Sequence, residues 1–162
     1  MGFFNKVERI LEQINPFTRS EAKKVLKDLL KQKHNIRKET DVGNVCFFDY
    51  DPKDLKHVWD RKPLILVLDQ TKNYVLGLNF HWIRTQQRIE LIEFILKLNL
   101  KNDKIRTPLK FSYKQLKPFL QNNGYKKCVH VYIRNRIGQG VSLKSNYLLE
   151  AAKLDLAVFL KG

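Results

Sequence analysis

GNVCFFDYDPKDLKHVWDRKPLILVLDQTKNYVLGLNFHW, residues Gly43 to Trp82, decides how this chain folds. Three runs rich in β-branched and aromatic residues are separated by the turn Asp49–Lys53, the charged step Trp59–Pro63 and the turn Thr71–Tyr74, a pattern that predicts a meander of strands. Val45 to Phe48 form the first strand. Leu64 to Leu68 are unbroken apolar, as in a strand buried on both faces at the middle of a core. After the turn at Lys72-Asn73, Val75 to Trp82 return antiparallel, and Gly77 within that run marks a bulge or a close packing approach.

Downstream of the meander the period changes. From Arg84 onward, Ile89, Ile92, Phe94, Ile95, Leu96 and Leu98 crowd a helix that should cover one side of the sheet. Ser112-Tyr113-Lys114-Gln115 is a capping box, so a short helix begins near Ser112 and stops before Asn122-Asn123-Gly124. Residues 127–133 and 141–143 read as a further β pair reversing around Asn135 to Gly140, and a last helix is expected from about Asn146.

Upstream, Phe3, Val7, Ile10, Leu11 and Ile14 share one helical stripe, and Pro16 ends it. A capping box at Thr18–Glu21 opens a second amphipathic helix to about Lys33. Two such helices cannot bury both stripes by themselves, so they dock on the meander or on another chain. His34 to Thr40 is polar apart from Ile36 and reads as a linker. The expected architecture is therefore α+β: an antiparallel sheet or small open barrel flanked by helices over residues 40–162, with an N-terminal helical arm over 1–39.

Of 162 residues, 43% are apolar and 29% charged, a globular composition with enough material for one real core. No apolar run of 18 residues and no signal-type segment is present, so neither membrane insertion nor conventional secretion is expected. Lys6 stands where a myristoylation motif starting at Gly2 needs Ser or Thr. Cys46 and Cys128 lie in β runs and read as free, buried thiols.

The net charge of +15 is unevenly placed. Residues 101–162 carry thirteen Lys/Arg against three Asp/Glu, while residues 44–100 carry eight against seven. A concentrated positive field attracts polyanions and acidic protein surfaces; the plainer alternative is a solvated lysine surface that keeps the protein soluble. Lys126, Lys127, Tyr132, Arg134 and Arg136, with Lys144 across the reversal, interleave cations with an aromatic ring, a combination suited to phosphate contact with stacking or to an acidic partner. Lys101, Lys104, Arg106, Lys110, Lys114 and Lys117 extend the patch. The competing reading is a sheet edge guarded by its lysines.

Catalytic and metal chemistry find little support. His34, His57, His81 and His130 are far apart and form no ligand spacing with the cysteines, so no metal or cofactor is expected. Asp49 and Asp51 flank a Pro-containing turn, Asp60 adjoins Arg61, and Asp54 and Asp69 complete no obvious nuclease cluster. Gly138-Gln139-Gly140 precedes a strand rather than following one, unlike a phosphate-binding loop.

Taken in order, Tyr50-Asp51-Pro52-Lys53, Trp59-Asp60-Arg61 with Pro63-Leu64, Gly77-Leu78-Asn79-Phe80-His81-Trp82, Arg134-Asn135-Arg136 and Leu154 to Leu160 make a succession over roughly residues 44–160. It resembles a family of small virion-associated proteins of tailed bacteriophages, described as DNA end protectors or as baseplate components. The chain departs from the family pattern at Leu154-Asp155, which stand in place of the family's acidic residue and Trp, and at Lys161, which replaces a proline. The resemblance implies a non-enzymatic structural part of a phage virion, at the neck, portal vertex or baseplate, within a symmetric multi-subunit assembly. Phe3, Val7, Ile10, Leu11 and Ile14 would then dock on other virion proteins. The alternative is a DNA-binding, end-protector-like protein acting on packaged or replicating phage DNA.

Overall fold

The computed structural model describes residues 31–51, 61–102, 104–105 and 109–144, together with Lys24 and Asp28. Among them the chain forms β1 (His34–Asn35), β2 (Val45–Tyr50), β3 (Leu64–Gln70), β4 (Tyr74–Asn79), helix α1 (Thr85–Leu98), β5 (Leu100–Lys101), β6 (Lys104–Ile105), helix α2 (Tyr113–Asn122), β7 (Val129–Ile133) and β8 (Ile137–Leu143). Strands β5 and β6 make a small separate hairpin. The other six form one antiparallel sheet in the order β1-β8-β2-β3-β4-β7, which gives the expected α+β architecture. The expected helices over 3–14 and from Asn146, the greater part of the one over Arg19–Lys33, and the Trp59-Asp60 step lie outside the described residues.

The connection from β7 to β8 dictates the shape of the sheet. These strands are separated by β4, β3 and β2, so four inter-strand spacings lie between them, about 19 Å across a flat sheet. Only Arg134–Arg136 join them, and these three residues form a 3₁₀ turn that advances roughly 2 Å per residue. The sheet must therefore curl until its two ends nearly meet. Register shifts between Phe48 and Tyr50 and between Val67 and Asp69 supply local bends. The expected hairpin of residues 127–143 is corrected here: β7 pairs with β4, and β8 pairs with β2 and β1.

Strand alternation sorts the apolar residues into two cores. Val45, Phe47, Leu64, Leu66, Leu68, Leu78, Val141 and Leu143 face outward and are covered by Leu91, Ile92, Ile95 and Leu96 of α1 and Leu116 and Leu120 of α2. Cys46, Phe48, Tyr50, Ile65, Val67, Val75, Tyr132 and Ile137 fill the inside of the curl with Ile36. The central strand β3 contributes to both cores, which is why its apolar run is unbroken. Inside the curl, Phe48, Tyr50 and Tyr132 meet edge to face with centroids 5.1 to 6.1 Å apart. Edge-to-face geometry is the arrangement the ring quadrupoles favour.

The segment His34–Thr40 is not a linker. His34 and Asn35 extend the sheet on β8, and Ile36 and Thr40 are buried. A single apolar residue in a polar stretch escapes periodicity, yet it anchors the segment in the inner core. Near it, both His34 ring nitrogens face acceptors, Gln32 O at 3.0 Å and Glu39 Oε2 at 2.7 Å. The Gln32 carbonyl first, and the Glu39 carboxylate second, raise the His34 pKa above its ordinary 6.5.

Two glycines permit the tight curl. A Cβ at Gly140 would lie 2.2 Å from Phe47 O and 2.6 Å from Phe48 Cβ. At Gly77 the nearest atom would be Ile65 Cδ1, at 2.6 Å. Gly77 is thus a close packing approach against the Ile65 side chain, its Cβ included at 2.9 Å, whereas Gly140 abuts backbone at a still shorter distance. Gly140→Ala is expected to destabilise by about 3 kcal/mol or more, and Gly77→Ala by about 1–2 kcal/mol, in urea unfolding. The reverse order would contradict this packing.

Candidate nucleic-acid interface

The five cations of the expected patch occupy three separate places. Arg134 and Arg136 sit at the β7–β8 corner, Lys126 and Lys127 in the 3₁₀ turn that enters β7, and Lys144 just beyond β8. From Arg136 to Lys144 the chain runs extended for roughly 25 Å. Tyr132 is corrected outright. It is 2% exposed and packed in the inner core, so it offers no stacking face.

Arg134 is a staple of the fold. Its Nε donates to Lys72 O (3.1 Å), one terminal nitrogen donates to Arg37 O and to Thr40 Oγ1 (2.7 Å), and the other donates to Thr71 O (2.7 Å) and Gln70 Oε1 (3.1 Å). A guanidinium has five N–H donors, and these five bonds use them all. Arg37 answers from the other side, donating to Ile137 O at 2.9 Å and Asn135 O at 3.0 Å. Two arginines therefore lock the 34–40 segment, the β3–β4 turn and the β7–β8 corner together. Arg136 bonds Asp51 O at 3.3 Å and lies 3.7 Å from the Asp51 carboxylate, holding the end of β2. Arg134 is thus spent on the fold, and Arg136 adds one longer bond to it.

Lysines, by contrast, gather around a groove. One cavity of about 400 Å³ is lined by Lys38, Lys110 and Lys144 with Glu39, Asp41 and Asn44. A second of about 440 Å³ is lined by Lys114 and Lys117 of α2 with Asp69 and Leu68. Val42 lines both, so the two adjoin at the turn before β2. Each wall is built for a reason. The Ser112–Gln115 capping box fixes the start of α2: Ser112 N–H donates to Gln115 Oε1 at 2.9 Å and Gln115 N–H to Ser112 Oγ at 3.2 Å. Buried Asn99 accepts the Lys110 N–H at 2.8 Å.

The floor is a closed polar network. The Glu39 carbonyl accepts from Ser142 Oγ at 2.6 Å and Asn44 Nδ2 at 3.2 Å. Cys46 Sγ points at the same carbonyl from 3.8 Å, and burial pushes that thiol's pKa up to about 12, so it stays protonated. The Glu39 carboxylate is engaged by His34, and Asp69 Oδ1 accepts the Gln70 N–H at 2.8 Å. The five lysines are solvent-facing.

In the small hairpin, β5 and β6 set Lys101 directly opposite Lys104, both exposed. Like charges facing across a two-stranded hairpin repel, and a bound polyanion relieves that repulsion. Arg106 lies outside the described residues, as do Asp54, His57 and Asp60 of the candidate acidic and metal sets. Among the described residues no three His, Cys, Asp or Glu side chains come together as a metal site, and no helix is long and apolar enough to cross a membrane. The sequence did not single out Lys38, because that lysine sits in the stretch read as a linker.

Arg134→Lys separates a staple from a phosphate contact. Lysine keeps the charge but cannot reach three chain segments at once, so the variant should lose about 2–4 kcal/mol in urea unfolding. Unchanged stability with weakened polyanion binding would assign Arg134 to the interface instead.

No curated protein and no solved structure matches the chain significantly. A family model does, over residues 2–154, and on that match the chain belongs to the phage T4 terminal DNA protecting protein family.

Proposed function

We propose that this protein binds the ends of linear phage DNA, holding the phosphate backbone along the lysine groove formed by Lys38, Lys110, Lys114, Lys117 and Lys144. The observation that carries the reading is the contrast between the two kinds of cation. Arg134 at the β7–β8 corner has every N–H donor engaged by acceptors of the fold, while the lysines line two adjoining cavities over a hydrogen-bonded floor. Membership of a family described by its protection of DNA termini supports DNA over an acidic protein as the ligand. Phosphate contact through lysine is sequence-independent, as a protein that covers whatever end it meets requires.

In this proposal the protein is carried in the virion, among other virion proteins and in several copies. The stripe of Phe3, Val7, Ile10, Leu11 and Ile14 supplies the docking surface, although it lies outside the described residues. Its role is non-enzymatic: it shields termini by occupying them.

The test measures binding to linear duplex across a salt series. The expected log-log slope is steeper than about −4, and Lys110→Gln, Lys114→Gln, Lys117→Gln and Lys144→Gln together should flatten it by about 4 at most, roughly one unit per contact. The wild type should also slow an exonuclease on linear duplex, and the fourfold variant should not. A shallow slope, or protection untouched by the fourfold change, would overturn the groove as the DNA site. Absence of the protein from purified particles by mass spectrometry would overturn the virion placement.

A further inference from the structure

We infer that Trp82 is the residue that distinguishes a DNA end from the middle of a duplex, stacking its indole on the terminal base pair; the inference rests on the DNA-end reading above. Trp82 is 53% exposed, one of three large hydrophobic residues left open to solvent among the described residues. Its neighbours are the opposite. Phe80, two residues before, is fully buried, and Ile83, the next residue, is 3% exposed. The turn between these anchors is pinned by the buried Asn79, whose Oδ1 accepts the His81 N–H at 2.9 Å, and by Ile83 N–H donating to Phe80 O at 3.2 Å. The His130 ring stands perpendicular to the indole, with centroids 4.9 Å apart. The indole is therefore displayed on a hydrogen-bonded turn and oriented by the His130 ring.

Its surroundings are cationic. Val129 pairs with Leu78, so the turn carrying Lys126 and Lys127 enters the sheet at the rim from which Phe80–Trp82 leave it. Lys126 and Lys127 are exposed, and so is Arg84, two residues past Trp82. This is the combination of ring and cations that the sequence suggested around Tyr132. The structure buries that ring and presents Trp82 in its place.

The flat end of a duplex has a property no internal position shares: one base pair with an open π-face, flanked by the last phosphates of both strands. An exposed indole beside lysines and an arginine matches both parts. Stacking is indifferent to base identity because every base has a π-face. A groove of lysines alone holds any stretch of duplex equally, so the preference for an end has to come from a contact of this kind.

The experiment compares one duplex sequence in two forms, open with blunt ends and closed at both ends by hairpin loops. The wild type should bind the open form more tightly. Trp82→Ala should reduce that preference by about tenfold or more while leaving affinity for the closed form unchanged. Trp82→Leu, which keeps apolar bulk, should behave as Trp82→Ala does and serves if the alanine variant fails to fold. A preference that survives in a folded variant, or an equal loss on both forms, would overturn the role of Trp82. If the wild type binds both forms strongly without preference, or binds neither, the DNA-end reading itself fails and this inference falls with it.

Discussion

Three residues between β7 and β8 set the terms for the rest of the molecule. Because Arg134, Asn135 and Arg136 join strands that sit four positions apart, the sheet has no flat solution. Curling creates an inner core narrow enough to be filled by Phe48, Tyr50 and Tyr132, with Gly77 and Gly140 at the places where a side chain would collide. It leaves the outer face to the helices. The corner itself is stabilised by the Arg134 guanidinium, whose bonds reach segments roughly 60 and 95 residues away in sequence. Long-range closure of this kind is entropically expensive, and a group that makes five directed bonds at once offsets much of that loss.

That closure explains how the chain divides labour between its cations. Arginine suits a fixed meeting point of carbonyls, since its planar fork is pre-organised and always charged. Lysine is a strongly hydrated point charge on a flexible stem, suited to a ligand that must be gripped without a fixed register. At the corner, Arg134 turns onto three carbonyl oxygens and two side-chain oxygens of the fold. The lysines of α2, of the Leu109–Phe111 segment and of the β8 exit face a groove. Counting positive charge along the sequence therefore locates the basic half but not the binding surface.

The meander was legible because its strands obey simple rules. Leu64–Leu68 is apolar throughout and is the central strand, and Ser112–Gln115 is a capping box and caps α2. What the sequence did not reveal follows from closure. Tyr132 alternates with Val131 in a way that fits either face of an edge strand, and only the curl sends Tyr132 inward while leaving Val131 about half exposed. Ile36 is a lone apolar residue among polar ones, so no periodicity could mark its segment as part of the sheet. Residues 127–143 have the local signature of a hairpin, yet their partners are β4 and β2, chosen by a sheet that bends far enough for a corner to replace a turn. Trp82 reads in sequence as the end of a strand, whereas β4 stops at Asn79 and a 3₁₀ turn carries the indole out to solvent.

The groove and the exposed indole also differ in the kind of selectivity they can supply. Five lysines around a closed hydrogen-bonded floor generate attraction that follows charge density and weakens with salt, and an internal stretch of duplex has as much charge per unit length as a terminal one. A π-face pinned between Phe80 and Ile83 responds instead to an unstacked surface, which salt hardly affects and which a continuous duplex does not present. The two act on different terms of the binding free energy, one setting how strongly the protein holds DNA and the other where along it. A fold that buried Tyr132 to close its inner core had to find its stacking surface elsewhere, and the turn leaving β4 is where a ring can be fixed in position and remain open.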